Sequence, residues 1–225
     1  LRLLPRPWYG RLQQVSETAI GKAYSVAISS FRLPASTDPH QGLYKGLSAG
    51  TGALGGLFGL PGLIVELPIT TTLMLRSIAE VARAHGEDIH EPETRLACLQ
   101  VFALGAQSES DDAAETGYYG VRLALSAYVS ASVQQVAQHG LASEGAPALV
   151  QLIRVIAARF GTEVSRRAAT QLLPVVGAVG GAAVNTIFMQ HFQDVARGHF
   201  IVRQLERRYG EALIRNNYAL LDEVD

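Results

Sequence analysis

Apolar residues recur at three- and four-residue spacing along most of the chain, and alternating Val/Ile/Thr runs closed by turn residues are nearly absent. The pattern predicts helices. Residues 11–31 set Val15, Ala19, Tyr24, Val26 and Ala27 between polar positions, and Leu33-Pro34-Ala35-Ser36-Thr37-Asp38-Pro39 breaks that segment. Glu93 to Gln107 carries Leu96, Leu99, Val101, Phe102 and Leu104. Ser108-Glu109-Ser110-Asp111-Asp112 reads as a hydroxyl cap followed by first-turn acids, where the helix dipole favours them. It predicts a helix running to about Gln138 and ended by His139-Gly140. Residues 146–160 form a further amphipathic segment, with Thr162 capping a shorter one, and residues 216–225 read as a frayed tail. The expected fold is all-α with roughly seven to nine helices. It forms a single domain over residues 1–225, since no stretch has the composition of a linker.

Two segments depart from simple amphipathicity, and they echo each other. One begins Gly52-Ala53-Leu54-Gly55-Gly56 and the other Gly177-Ala178-Val179-Gly180-Gly181. Fourteen residues beyond its first glycine, each reaches an ionisable side chain, Glu66 and His191, and the segments close at Gly86-Glu87 and Gly210-Glu211. Between Gly46 and Leu75, 30 residues, Glu66 is the lone charge, and the 22 residues Ala169–Gln190 carry none. Either run is long enough to span a bilayer, which takes roughly 20 residues. Pro61 and Pro68 argue against one straight rod in the first. Two short legs joined near Gly59-Leu60-Pro61-Gly62 fit better. The expectation is a pair of pseudo-repeated glycine-rich helical hairpins around central helices, with Glu66 and His191 facing each other near a pseudo-twofold axis. Small residues at this spacing let two backbones approach closely, in lipid or in a protein core.

Composition supports an apolar or membrane-adjacent protein. Charged residues are 17% of the chain, below the roughly 25% of ordinary soluble domains, and mean hydropathy is +0.15. A net charge of −1 gives no bulk attraction to nucleic acid. The single cysteine, Cys98, excludes an intrachain disulfide and sits among apolar residues. No secretory signal pattern is visible, so the expected address is cytoplasmic, peripheral to or partly inserted in the inner membrane.

The candidate chemistry is sparse. On a helix, Glu66, Thr70, Leu73, Ser77 and Glu80 fall within about 40° of one line, a polar stripe suited to a buried seam or a site wall. His191 and Asp194 share a helical face at a spacing that can place two ligands on one divalent metal such as zinc. With Glu66 they would form a hydrolase centre, which Asp111 or Glu115 could complete; His199 lies roughly 80° around from His191 and is a poor co-ligand on that helix. Ile89, within the acid- and His-rich stretch from His85 to Glu91, separates candidate ligands of what reads as a solvated loop, lacking a His-Glu-x-x-His pattern. Arg197, Arg203, Arg207 and Arg208, with Arg215 beyond and Arg154, Arg159, Arg166 and Arg167 flanking the second run, are placed to meet anionic headgroups, at roughly 1 kcal/mol per charge. No phosphate-binding Gly-Lys-Ser/Thr follows the glycines and no Gly-x-Ser-x-Gly elbow occurs.

Gly59-Leu60-Pro61-Gly62-Leu63-Ile64-Val65-Glu66-Leu67-Pro68, Leu75-Arg76-Ser77-Ile78-Ala79 and Leu96 through Gly105 resemble the EcsC family. So do Asn185 through Gln193, and Ala196 through Gly198-His199-Phe200 to Leu205-Glu206-Arg207-Arg208-Tyr209-Gly210. The resemblance covers about residues 40–218. It implies a bacterial protein, named after a gene neighbouring the Ecs ABC transporter, with an all-α fold and loose membrane association. It carries no catalytic motif. The expected function is non-enzymatic: binding of membrane lipid or a membrane-protein partner. The alternatives are the metal-dependent hydrolase with its His/Asp/Glu site and a self-associating homo-oligomeric scaffold.

Overall fold

The computed structural model describes residues 6–30, 41–106, 117–139, 147–170 and 178–222. Among the described residues the chain is all-α, with seven helices and no strand. These are α1 (Arg6–Ser30), α2 (Gln41–Ala84), α3 (Pro92–Leu104), α4 (Tyr118–His139), α5 (Pro147–Thr170), α6 (Ala178–Tyr209) and α7 (Glu211–Asp222). The loop expected at residues 33–39, the cap expected at residues 108–112, and Gly177 lie outside the described residues.

Residues Gln41–Ala84 are helical throughout, yet α2 is not a straight rod. Thr51 and Thr70 bring their hydroxyls within 3.3 Å although 19 residues separate them, which would span about 28 Å in a straight helix. Tyr44 donates to Glu80 at 2.8 Å across 36 residues. The chain therefore doubles back, and Gly62 lies against the Gly55 carbonyl and Phe58 at the reversal, where a Cβ would have no room. No matching fold-back can be described for the second run, because residues 171–177 are outside the described set.

The two glycine-rich segments meet. A Cβ on Gly52 would collide with the Gly181 carbonyl and lie 2.5 Å from Cβ of Asn185, so glycine is what lets α6 approach α2 here. The α2–α6 interface is the largest between elements, with α1 packed on α2 and α5. Phe102, Phe160, Phe188 and Phe192 form the aromatic centre where α3, α5 and α6 converge, with ring centroids 5.0–6.0 Å apart. Both Gly-Glu endings stop a helix through a left-handed glycine, φ +79° at Gly86 and +92° at Gly210.

Two expectations are corrected. Thr162 does not cap a new helix: α5 continues through it, and its hydroxyl bonds back to the Arg159 carbonyl at 2.7 Å. Residues 216–222 do not fray but complete α7, because Tyr218 stacks on Tyr118 of α4 at 5.5 Å.

Candidate functional site

Glu66 sits in the second leg of α2 with its side chain 4% exposed, and its ion-pair partner Arg167 in α5 is 2% exposed. Nη2 of Arg167 lies 2.7 Å from both carboxylate oxygens. Thr70 and the Asn185 amide each donate to Oε1 at 2.7 Å. Asn185 also donates to the Ser48 carbonyl at 2.6 Å, and the Ser48 hydroxyl returns a bond to the Asn185 carbonyl at 3.2 Å. Four segments thus close on one carboxylate: both legs of α2, α5 and α6. Burial lowers the pKa of Arg167, and the Glu66 charge opposes that shift. The Arg167 guanidinium also lies 5.0 Å from the Phe188 ring centroid. A buried pair is tolerable only when its remaining hydrogen-bonding capacity is met, and Thr70 and Asn185 meet the carboxylate's.

The polar stripe of α2 is a seam inside the protein. Below Glu66 and Thr70, buried Ser77 accepts from Gln193 of α6 at 2.8 Å, and Glu80 accepts from Tyr44 on the other leg. Gly55 is packed against the Glu66 carboxylate, leaving no space for a side chain there.

His191 does not join this centre. Six residues beyond Asn185, about 9 Å along α6, its Nε2 donates to the Gly105 carbonyl at 2.6 Å. Asn185 occupies the position facing Glu66. Asp194 is half-exposed and bonded to Gln190 and Arg197, so Glu66, His191 and Asp194 do not converge on a metal. Among the described residues, no three His, Cys, Asp or Glu side chains are grouped as metal ligands, and Asp111 and Glu115 lie outside them. The arginine cluster is also largely engaged. Arg203 reaches Glu87 at 2.9 Å, Arg207 pairs with the same carboxylate, and Arg197 bonds Asp194 at 2.9 Å. Arg208 stacks on Tyr209 at 5.3 Å. Burial disfavours ionised Glu87, but the two guanidiniums outweigh it and hold its pKa below the usual carboxylate value. Burial pushes the Cys98 thiol up to about 12, which makes it inert as a nucleophile.

Beside the ion pair, the α2 reversal carries exposed apolar side chains, and so does the N-terminal half of α6. Phe58 and Val65 are 71% and 73% exposed, and Val179 and Ile187 of α6 are 86% and 69% exposed. A cleft of about 410 Å³ opens between Gly55, Phe58, Pro61, Val65 and Ile69, with Glu66 in its wall. Among the described residues one segment, Pro61–Ala84, is long and apolar enough by length and composition to cross a membrane, and just over half of its most apolar 18-residue stretch is buried within the protein.

The sequence marked Glu66 because a lone charge in a long apolar run stands out. It did not single out Asn185 or Arg167 as the partners. The available signal for Asn185 was an amide in the last third of the uncharged run, 133 residues from Gly52 in the chain but beside it in space.

No curated protein and no solved structure matches the chain. The EcsC protein family matches residues 14–205, a span that contains every member of the buried network from Ser48 to Asn185, and the chain belongs to that family.

Proposed function

We propose that this protein docks on a lipid bilayer through the end formed by the α2 reversal and the N-terminal half of α6. The observation that carries the reading is the exposure of Phe58, Val65 and Ile69, which line one cleft at the α2 reversal, with Val179 and Ile187 exposed on the neighbouring α6. The contacts of Gly52 with Gly181 and of Glu66 with Asn185 hold those two segments side by side. No charge competes with them: between Gly46 and Leu75 the charged residue is Glu66, which is turned inward and paired. Exposed apolar side chains grouped around one cleft mark an interaction site, and each contributes roughly 1.5–3 kcal/mol when withdrawn from water. The paired carboxylate beneath supports the same reading, because an isolated charge at that depth would oppose insertion. The metal-hydrolase alternative gains no support from the separation of Glu66, His191 and Asp194.

Vesicle flotation tests the proposal. Wild-type protein is expected to float with vesicles of mixed anionic and zwitterionic phospholipid. A Val65→Asp/Ile69→Asp variant with unchanged helical circular dichroism is expected to stay at the bottom. Wild-type protein that does not float, or a variant that floats equally, overturns membrane docking. Concentration-dependent self-association lost in the same variant, without flotation, would reassign the surface to a homo-oligomeric scaffold.

A further inference from the structure

His199 and Gln100 are both buried with unmet hydrogen-bonding groups, and they differ in what can reach those groups. Nδ1 of His199 lies 2.8 Å from the Tyr118 hydroxyl, while its Nε2 is enclosed by protein without a partner among the described residues. Burial, with the charges of Arg203 and Arg122, holds its pKa well below 6.5, so the ring stays neutral and sealed. Gln100 of α3 is 7% exposed, and among the described residues its amide makes no hydrogen bond. That amide is not enclosed: Gln100 lines a cavity of about 510 Å³ walled by α3, α4, Arg203 of α6, and α7. A side-chain amide offers two donors and an acceptor oxygen. It therefore complements a peptide group, which carries one donor and one acceptor.

The cavity follows α4 from Tyr119 to Gln134, about 22 Å of helix, which is long enough for roughly six extended residues. Its volume lies within the range of ligand pockets. The lining carries three arginines, Arg122, Arg203 and Arg215, and two acids, Glu93 and Glu211. Glu206 already holds Arg122 with oxygens at 2.6 and 3.0 Å. Arg203 is held by Glu87 at 2.9 Å and reaches Glu93 at 3.4 Å. Arg215 of α7 differs. Its guanidinium lies 5.9 Å from the Tyr119 ring centroid, and it makes no ion pair among the described residues. One uncompensated guanidinium beside two acids disfavours a multiply charged anion such as a phosphate ester. It suits a single carboxylate, for which arginine is the matching partner. Between the charges, Leu123, Val129 and Val133 give apolar wall, and Ser126, Ser130 and Gln134 give polar wall.

We propose that this cavity binds an extended peptide ending in a free carboxylate. The Gln100 amide pairs with a peptide group of the ligand, Arg215 holds the terminal carboxylate, and Leu123, Val129 and Val133 receive its side chains. The cavity shares no lining residue with the cleft at the α2 reversal, so the proposal stands or falls apart from membrane docking.

The test titrates purified full-length protein, without vesicles, with the peptide Ala-Leu-Val-Ala, its C-terminal amide, its N-acetyl form and inorganic phosphate. Binding is read by calorimetry and by nitrogen–proton spectra of protein carrying ¹⁵N-labelled glutamine side chains. The free-carboxylate peptide is expected to bind at least tenfold more tightly than its amide and to shift the Gln100 side-chain resonances. Equal binding of the N-acetyl form assigns the C-terminus of a polypeptide; weaker binding of it assigns a free short peptide whose amine is read as well. Arg215→Gln is expected to erase the preference for carboxylate over amide, and Gln100→Leu to weaken both peptides while keeping that preference. Should Gln100→Leu not fold, the Arg215 variant and the wild-type Gln100 resonances decide. Tighter binding of phosphate than of the peptide, equal binding of acid and amide, no binding of any probe, or unmoved Gln100 resonances overturns the proposal.

Discussion

Buried Glu66 is held by Arg167, Thr70 and Asn185, which come from three separate stretches of the chain. Removing one member of a buried pair leaves an uncompensated charge, at a cost of about 3–5 kcal/mol, whereas replacing both by apolar groups of similar volume is often near neutral. Glu66→Ala is therefore expected to lower the unfolding free energy obtained from urea titration by that amount. Glu66→Leu/Arg167→Met is expected to recover most of the loss. A double variant as unstable as the single one would show that the contacts to Thr70 and Asn185, not the charge pair, hold the four segments together. The carboxylate was legible in sequence as an expensive group in an apolar run. Its partner was not, because Arg167 lies 101 residues away and nothing local to Glu66 encodes that proximity. For the same reason the echo misassigned its counterpart: equal spacing from a glycine pointed to His191, whereas the rotation and depth of α6 bring Asn185 to the carboxylate and His191 to Gly105.

The helices themselves were largely readable, since their apolar periodicity is local. The glycines divide by position in a way only packing reveals. Gly52 is pressed against backbone of α6, while Gly46, on the same leg of α2, has nothing within 4 Å of where a Cβ would stand. Gly46→Ala is expected to stabilise by about 0.5–1 kcal/mol through helix propensity. Gly52→Val is expected to destabilise by about 1–3 kcal/mol or more by overpacking, because backbone has little freedom to yield. Thermal unfolding followed at the helical signal checks both signs, and a stabilising Gly52→Val would refute the close approach. α5 shows the limit of local reading: a threonine can cap a helix or bond back within one, and its Oγ1 does the latter at Thr162.

At the scale of the whole molecule, two of the described groups contribute acid sensitivity. The folded pKa of His199 is depressed below its ordinary 6.5, so the unfolded chain binds the extra proton. Its contribution is fully present above pH ~6.5 and is lost as pH falls toward the folded pKa, at up to about 1.4 kcal/mol per pH unit. Glu87 is also depressed, so its contribution is present above its usual value and lost at lower pH still. Denaturant midpoints measured from pH 7 to 5 are expected to fall in wild type and to flatten in His199→Phe. Glu87→Gln is expected to remove part of the decline below pH ~4.5 while leaving the upper limb intact. A wild-type profile flat from pH 7 to 5 would refute a neutral buried His199.

Periodicity, the two uncharged runs and the Gly-Glu endings established the helices, the apolar character and two of the stops, because these follow from backbone geometry and burial over a few turns. The reversal of α2, the contact of Gly52 with Gly181, the pairing of Glu66 with Arg167 and the isolation of Nε2 in His199 were settled by tertiary structure. Each depends on distances between residues far apart in the chain. A charge's partner and a cavity's walls arise only when separate helices pack, so local pattern could mark the costly groups without saying what would satisfy them.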